Sequence, residues 1–133
     1  MAKVISQSQI EEAVASIDRG VKKSVIVSGS KDGPYSVMVV VVDDILPKAE
    51  VHEESADVWQ VLKGDAVFII GGELGNPTLH KPKERVADFI RGGTEYPVKP
   101  GDIIDIPPGV PHQIDARGGR IELLIVKINA SVR

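Results

Sequence analysis

The apolar positions of this chain change period once. Over residues 6–20, Ile10, Ala13, Val14 and Ile17 recur at three- and four-residue steps, which places them on one face of a helix. Ser6 or Ser8 can cap it, Glu11 stands three residues after Ser8 as a capping-box partner, and Gly20 is a natural stop. The spacing predicts one short amphipathic helix packed on the outside of the domain. From residue 21 onward, β-branched residues gather in short runs at 23–27, 36–42, 49–52, 58–62, 66–70, 94–98, 103–106, 112–115 and 121–128. Turn formers separate them: KDGP at 31–34, GG at 71–72, KPGD at 99–102 and RGGR at 117–120. These nine runs, with no repeated helical crossover between them, predict an all-β barrel or sandwich rather than a parallel α/β sheet. Residues 71–93 break the rhythm with a polar stretch bounded by glycine pairs, in which a short helical or strand piece is expected around 85–90. A connection of that length serves as a lid, a partner-binding arm or a mobile insertion.

Composition narrows this reading. A chain of 133 residues, 42% hydrophobic and 26% charged, builds one domain with a single core, so residues 1–133 are expected to hold the helix, a barrel over 21–128 and the insertion. Thirteen glycines and nine prolines fit tight turns between strands better than a helical bundle. A net charge of −3 without a basic cluster argues against nucleic acid or an anionic membrane as partner. The absence of cysteine excludes disulfides, thiolate nucleophiles and zinc–thiolate clusters, so any metal must use nitrogen and oxygen ligands. Acids stand where a signal peptide would have its apolar core, and the longest apolar run, 37–42, is too short to span a bilayer, which makes a cytoplasmic protein the expectation. There is no serine in a nucleophile elbow and no Cys–His pair, so covalent acyl transfer has no candidate.

The chemistry-bearing residues fall on the predicted strands. Glu50 and His52 alternate around Val51 and therefore face one side. Asp57, Trp59 and Val61 share a face by the same period, so an inward Val61 brings Asp57 and Trp59 inward with it. His112 ends PPGVPH (107–112), a corner whose three prolines restrict φ and preorganise the imidazole. Two imidazoles and a carboxylate among β-forming residues are the ingredients of a facial metal site. Trp59 suits either a stacking wall for an aromatic or sugar-like ligand or plain core. His80 lacks a partner at ligand spacing and reads as a solvated loop histidine, Glu53 and Glu54 as a loop edge, and Gln60 and Gln113 as lining for either face. GGELG (71–75) lacks the lysine and helix of a phosphate loop.

In these spacings the chain resembles the cupin superfamily, whose small jelly-roll barrels carry two motifs: G(x)5HxH(x)3–4E(x)6G and G(x)5PxG(x)2H(x)3N. Glu50-Val51-His52, Asp57 and Gly64 match the first in spacing, and Gly101, Pro107-Pro108-Gly109 and His112 match the second. Glu50 replaces the usual first histidine, Asp57 the glutamate, Ala116 the asparagine and Asp44 the leading glycine. The resemblance implies a jelly-roll barrel with a metal site at positions 50, 52, 57 and 112. It also implies a homodimer formed through sheet edges, with the strand at 23–27 available for exchange. Two nitrogens and two carboxylates suit a divalent ion such as iron, manganese, zinc or nickel. Asp57, one methylene shorter than glutamate, reaches less far and binds either directly or through water. Two carboxylates held close together repel, so without a cation one of them is expected to carry a raised pKa unless a metal ion or a charged His52 or His112 offsets the repulsion.

Three functions follow. The first is a metal-dependent enzyme on a small organic substrate, a non-haem dioxygenase or an isomerase or lyase, in which an unligated Glu50 acts as general base. The second is a binding or sensing barrel without turnover, since a fold hosts many functions. The third is a metal-free acid–base enzyme using Glu50 and Asp57. Without an ion, Glu50 would turn to solvent and the histidines would hydrogen-bond within a polar pocket.

Overall fold

A computed structural model describes residues 2–129. One helix, α1 (Gln7–Ala15), precedes thirteen strands among the described residues. They are β1 (Lys22–Gly29), β2 (Tyr35–Asp43), β3 (Ala49–His52), β4 (Ser55–Gly64), β5 (Ala66–Ile70), β6 (Glu73–Leu74) and β7 (Thr78–Lys81). There follow β8 (Glu84–Ala87), β9 (Ile90–Arg91), β10 (Thr94–Val98), β11 (Ile103–Ile106), β12 (His112–Asp115) and β13 (Arg120–Asn129). All pairings are antiparallel and form two facing sheets, β1-β2-β13-β4-β11 and β10-β5-β12-β3-β8-β7, with β6 and β9 as a separate two-stranded ribbon. The fold is the double-stranded β-helix, or jelly roll, that the resemblance to cupins implies, within the all-β class that the strand pattern predicts.

Alternation places the core. Ile121, Leu123 and Ile125 of β13, Val40 and Val42 of β2, and Trp59 and Val61 of β4 point between the sheets, where they meet Phe68, Ile104, Ile106 and Ile114. The other face of β2 carries Val39 and Val41, which are also buried, because α1 packs over β1 and β2 and contributes Ala13. This explains why residues 37–42 read as a continuous apolar run rather than an alternating one.

Two expectations change. The helix ends at Ala15 with a cap at Ser16, five residues short of Gly20, and its box is Ser6 with Gln9 rather than Ser8 with Glu11. Ile17 is nevertheless buried, beyond the helix end. The stretch 71–93 is in large part woven into the barrel: β8 pairs along the whole of β3, β7 pairs with β8, and the piece expected around 85–90 is a strand. No helix among the described residues is long and apolar enough to cross a membrane.

Where the chain departs from the cupin motif, the backbone explains the motif. Asp44, at the position of the leading glycine, adopts φ +51°, a conformation that aspartate tolerates better than most side chains, and its Oδ1 accepts the Gly118 N–H at 2.7 Å. Gly64, which closes the first motif, combines φ +82° with an approach to the Arg120 carbonyl that leaves no room for a Cβ.

Candidate metal centre

Strand register assembles the cluster. Glu50 on β3 stands directly across from His112 on β12, and His52 stands across from Glu84 on β8. In the facing sheet, Asp57 on β4 stands across from Lys127 on β13. A slip of one residue in any of these ladders would turn a member of the cluster to the opposite face. The corner that delivers His112 is tied to the first motif, because the Gly109 N–H donates to the His52 carbonyl at 2.8 Å. The Gly71 N–H clasps the Pro111 carbonyl at 2.9 Å.

Both imidazoles present Nε2 to one point. His52 Nδ1 lies 2.8 Å from Glu84 Oε1, and His112 Nδ1 donates to the Val110 carbonyl at 3.1 Å. With Nδ1 engaged on each ring, Nε2 is left for the cluster. His52 Nε2 is 3.4 Å from Glu50 Oε2 and 3.4 Å from Asp57 Oδ2, while His112 Nε2 is 4.0 Å and 3.7 Å from the same two oxygens. Glu50, His52 and His112 offer three ligand atoms within 4.8 Å of one another, a group able to hold a metal ion. Asp57 is 1% exposed, and its Oδ2 has no hydrogen-bond partner among the described residues; neither has the buried His112 Nε2. Asp57 Oδ1 lies 2.8 Å from Lys127 Nζ, an ion pair outside hydrogen-bonding alignment.

Charge is distributed unevenly. For Glu50, burial favours the neutral acid, but the hydrogen bond from His52, the ammonium of Lys22 at 3.6 Å and the two imidazoles outweigh it and hold the carboxyl well below the usual carboxylate range. This reverses the raised carboxylate pKa expected of a metal-free site and matches the alternative of a charged histidine. Burial also opposes protonation of His52, as does Lys127, yet the Glu50 hydrogen bond and the charges of Asp57 and Glu50 raise its pKa. In His112, burial dominates and His52 adds to it, over the opposing pull of the Val110 carbonyl and the carboxylates, so its pKa falls. The surroundings thus bias His52 towards the protonated form and His112 towards the neutral one.

Trp59 is buried against Phe68, with ring centroids 5.7 Å apart, and also forms part of a cavity wall. Its Nε1 has no partner. The cavity, of about 870 Å³, opens beside Glu50 and His52 and runs along Val40, Ile125 and Lys127. His80 is exposed, but on strand β7 rather than in a loop, and it reaches the cavity rim. Glu53 and Glu54 are exposed, as a loop edge should be. Gln60 is exposed, and Gln113 is a buried tie between the Pro47 and Asp88 carbonyls at 3.0 Å each. The sequence reading missed Glu84 and Lys127. Lys127 could have been found, because it extends the inward column of Ile121, Leu123 and Ile125 by one period. Glu84 had no local signal.

No protein-family model and no curated protein matches the chain. Solved structures do. A double-stranded β-helix protein from Klebsiella pneumoniae aligns over 100% of this chain and 95% of its own, at 18% identity and TM-score 0.68. A cupin superfamily protein from Desulfitobacterium hafniense aligns over 88% of each chain at 16% identity and TM-score 0.58. A DMSP lyase from Ruegeria pomeroyi aligns over 81% of this chain at 15% identity and TM-score 0.59, and this chain spans only 47% of that lyase. At such identities the likeness establishes the fold, and the fold is that of the cupins.

Proposed function

We propose that the cavity is the active site of a metal-dependent enzyme acting on a small organic substrate, with a divalent ion held by His52, His112, Asp57 and Glu50. The observation that carries this reading is the pair Asp57 Oδ2 and His112 Nε2. Both are buried, both lack hydrogen-bond partners, and they lie 3.7 Å apart in a cluster whose imidazoles have already committed Nδ1 elsewhere. Buried polar atoms without partners are costly, and a cation is the group that would satisfy an imidazole lone pair and a carboxylate oxygen together. Such an ion, once bound, supplies Lewis-acid polarisation of a substrate oxygen, or redox chemistry if it is iron or manganese.

The remaining work belongs to the side chains. Glu84 orients His52, and the Val110 carbonyl orients His112. Glu50, flanked by Lys22 and His52 and held far below neutrality, suits a ligand better than a general base, which works best near the operating pH. The apolar wall of Val40, Trp59 and Ile125 excludes water from one side of the pocket. A lyase on the same fold is compatible with an enzyme, but the fold alone leaves the reaction open.

The Lys127–Asp57 pair supports a second reading, a metal-free binding pocket in which ammonium and imidazolium groups balance the carboxylates. Elemental analysis of protein purified without added metal separates the two. The metal reading expects close to one equivalent of a divalent ion. His52→Ala and His112→Ala should lose that ion while keeping a β-sheet circular dichroism spectrum. Well-folded wild-type protein that neither carries nor takes up a divalent ion would exclude the metal centre.

A further inference from the structure

Six lysines line the cavity against four carboxylates, an inversion of the chain's net charge of −3. Their arrangement has two levels. Deep in the pocket, Lys22 Nζ lies 3.6 Å from Glu50 Oε1 and Lys127 Nζ lies 2.8 Å from Asp57 Oδ1. Each ammonium is thus one carboxylate away from His52 Nε2. At the rim stand Lys31 and Lys81, which form no ion pair among the described residues. They approach each other closely enough that Lys31 gives up its proton more readily than usual, chiefly through its hydrogen bond to Lys81. Asp32 and Glu84 oppose that shift, so the rim pair adds to the positive lining without forming a site of its own.

The deep pair carries the argument further. In the metal-free protein, Lys22 and Lys127 balance Glu50 and Asp57. A divalent ion drawing on the same two carboxylates leaves the pocket with an excess of positive charge that the other carboxylates of its wall, Asp32, Glu54 and Glu84, do not match against six lysines. The same cavity is lined by Ile26, Met38, Val40, Trp59 and Ile125, an apolar surface on which Ile26 is 45% exposed. Among the described residues no arginine lines the cavity, so they offer no bidentate fork of the kind suited to phosphate.

We propose that the cavity binds a small organic carboxylate, its charged end received by Lys22 and Lys127 beside the ion and its apolar body laid against Trp59, Val40 and Ile125. This proposal rests on the metal reading above, since the charge of the ion is what leaves the two ammonium groups in excess for a ligand.

The test is calorimetric titration of zinc-loaded protein, metal content checked in the same sample, with three matched probes: 3-phenylpropionate, its amide and phenyl phosphate. The acid should bind at least about tenfold more tightly than the amide, and its affinity should fall as salt is raised. Lys127→Gln and Lys22→Gln should each weaken the acid about five- to tenfold and leave the amide unchanged. The variant at Lys22, whose side chain is 27% exposed, keeps the test available if loss of Lys127 unfolds the barrel. A metal-loaded protein that binds acid and amide alike, or prefers the phosphate, overturns this proposal and leaves the metal centre standing. A protein that takes no zinc overturns both.

Discussion

Glu84 offers the sharpest way to test whether the cluster is organised as described. It holds His52 Nδ1 at 2.8 Å, and no other group among the described residues hydrogen-bonds that nitrogen. Replacing it with alanine removes one charge-assisted hydrogen bond, worth about 1.5–3 kcal/mol when well shielded. The Glu84 side chain is 31% exposed, so screening reduces this to about 1–2 kcal/mol. The loss should fall on the ion, because a His52 ring free to rotate or change tautomer presents Nε2 only part of the time. Loss of such a supporting carboxylate typically weakens a metal site about 10–100-fold, and the low end of that range matches the energy estimated from the hydrogen bond. Glu84→Gln keeps an acceptor but loses the charge, so it should sit between, at roughly three- to fivefold. Competition against a chromophoric chelator measures both, with circular dichroism as a check on folding. The reasoning is refuted if Glu84→Ala binds the ion as tightly as wild type while His52→Ala does not bind it, since Nδ1 support would then be irrelevant.

Other expectations follow from the same geometry. Lys127→Met strands the carboxylate of Asp57, which is 1% exposed, and should cost the metal-free protein about 3 kcal/mol in urea denaturation, with part of that loss recovered on adding the ion. In the metal-free protein, histidine resonances followed by NMR should show His52 titrating above the ordinary value of about 6.5 and His112 below it. His52 therefore stabilises the fold below pH 6.5 and loses that contribution as pH rises through its folded pKa, whereas buried His112 costs stability in acid and stops doing so above about pH 6.5. Metal binding must displace the His52 proton, so affinity should climb by up to about tenfold per pH unit until that pKa is passed, and a flat profile would contradict the assignment. Gly64→Ala places a methyl group against the Arg120 carbonyl at φ +82° and should destabilise the barrel by more than about 2 kcal/mol, read as a drop in thermal midpoint.

Much of the barrel was legible because its strands are short runs rich in β-forming residues, bounded by turn formers. Residues 49–52, 66–70, 94–98, 103–106 and 112–115 are strands with the very boundaries their residue types suggest. The inward set of Asp57, Trp59 and Val61 follows from a period of two and needs no partner to define it. What was not legible depends on pairing between distant segments. Nothing near Glu84 says that β8 will lie along β3, 32 residues away from His52, and a polar stretch bounded by glycines looks like a loop until a sheet edge receives it. Lys127 was overlooked for a different reason. A lysine near the end of a strand usually reads as surface, and only the register with Asp57 turns it into part of the wall. The helix end was misplaced because Gly20 is a sufficient stop but not the first place where the pattern lapses, and Ile17 is buried without being helical.

The Asp57–Lys127 pair bears on the order in which this protein is made. A carboxylate sealed between two sheets would ordinarily oblige the chain to capture its cation before or during collapse, as small zinc modules do. Here a tethered ammonium on β13 meets Oδ1, so closing the barrel over Asp57 would not have to wait for an ion. An ion arriving later would settle on Oδ2 beside the lysine rather than in its stead.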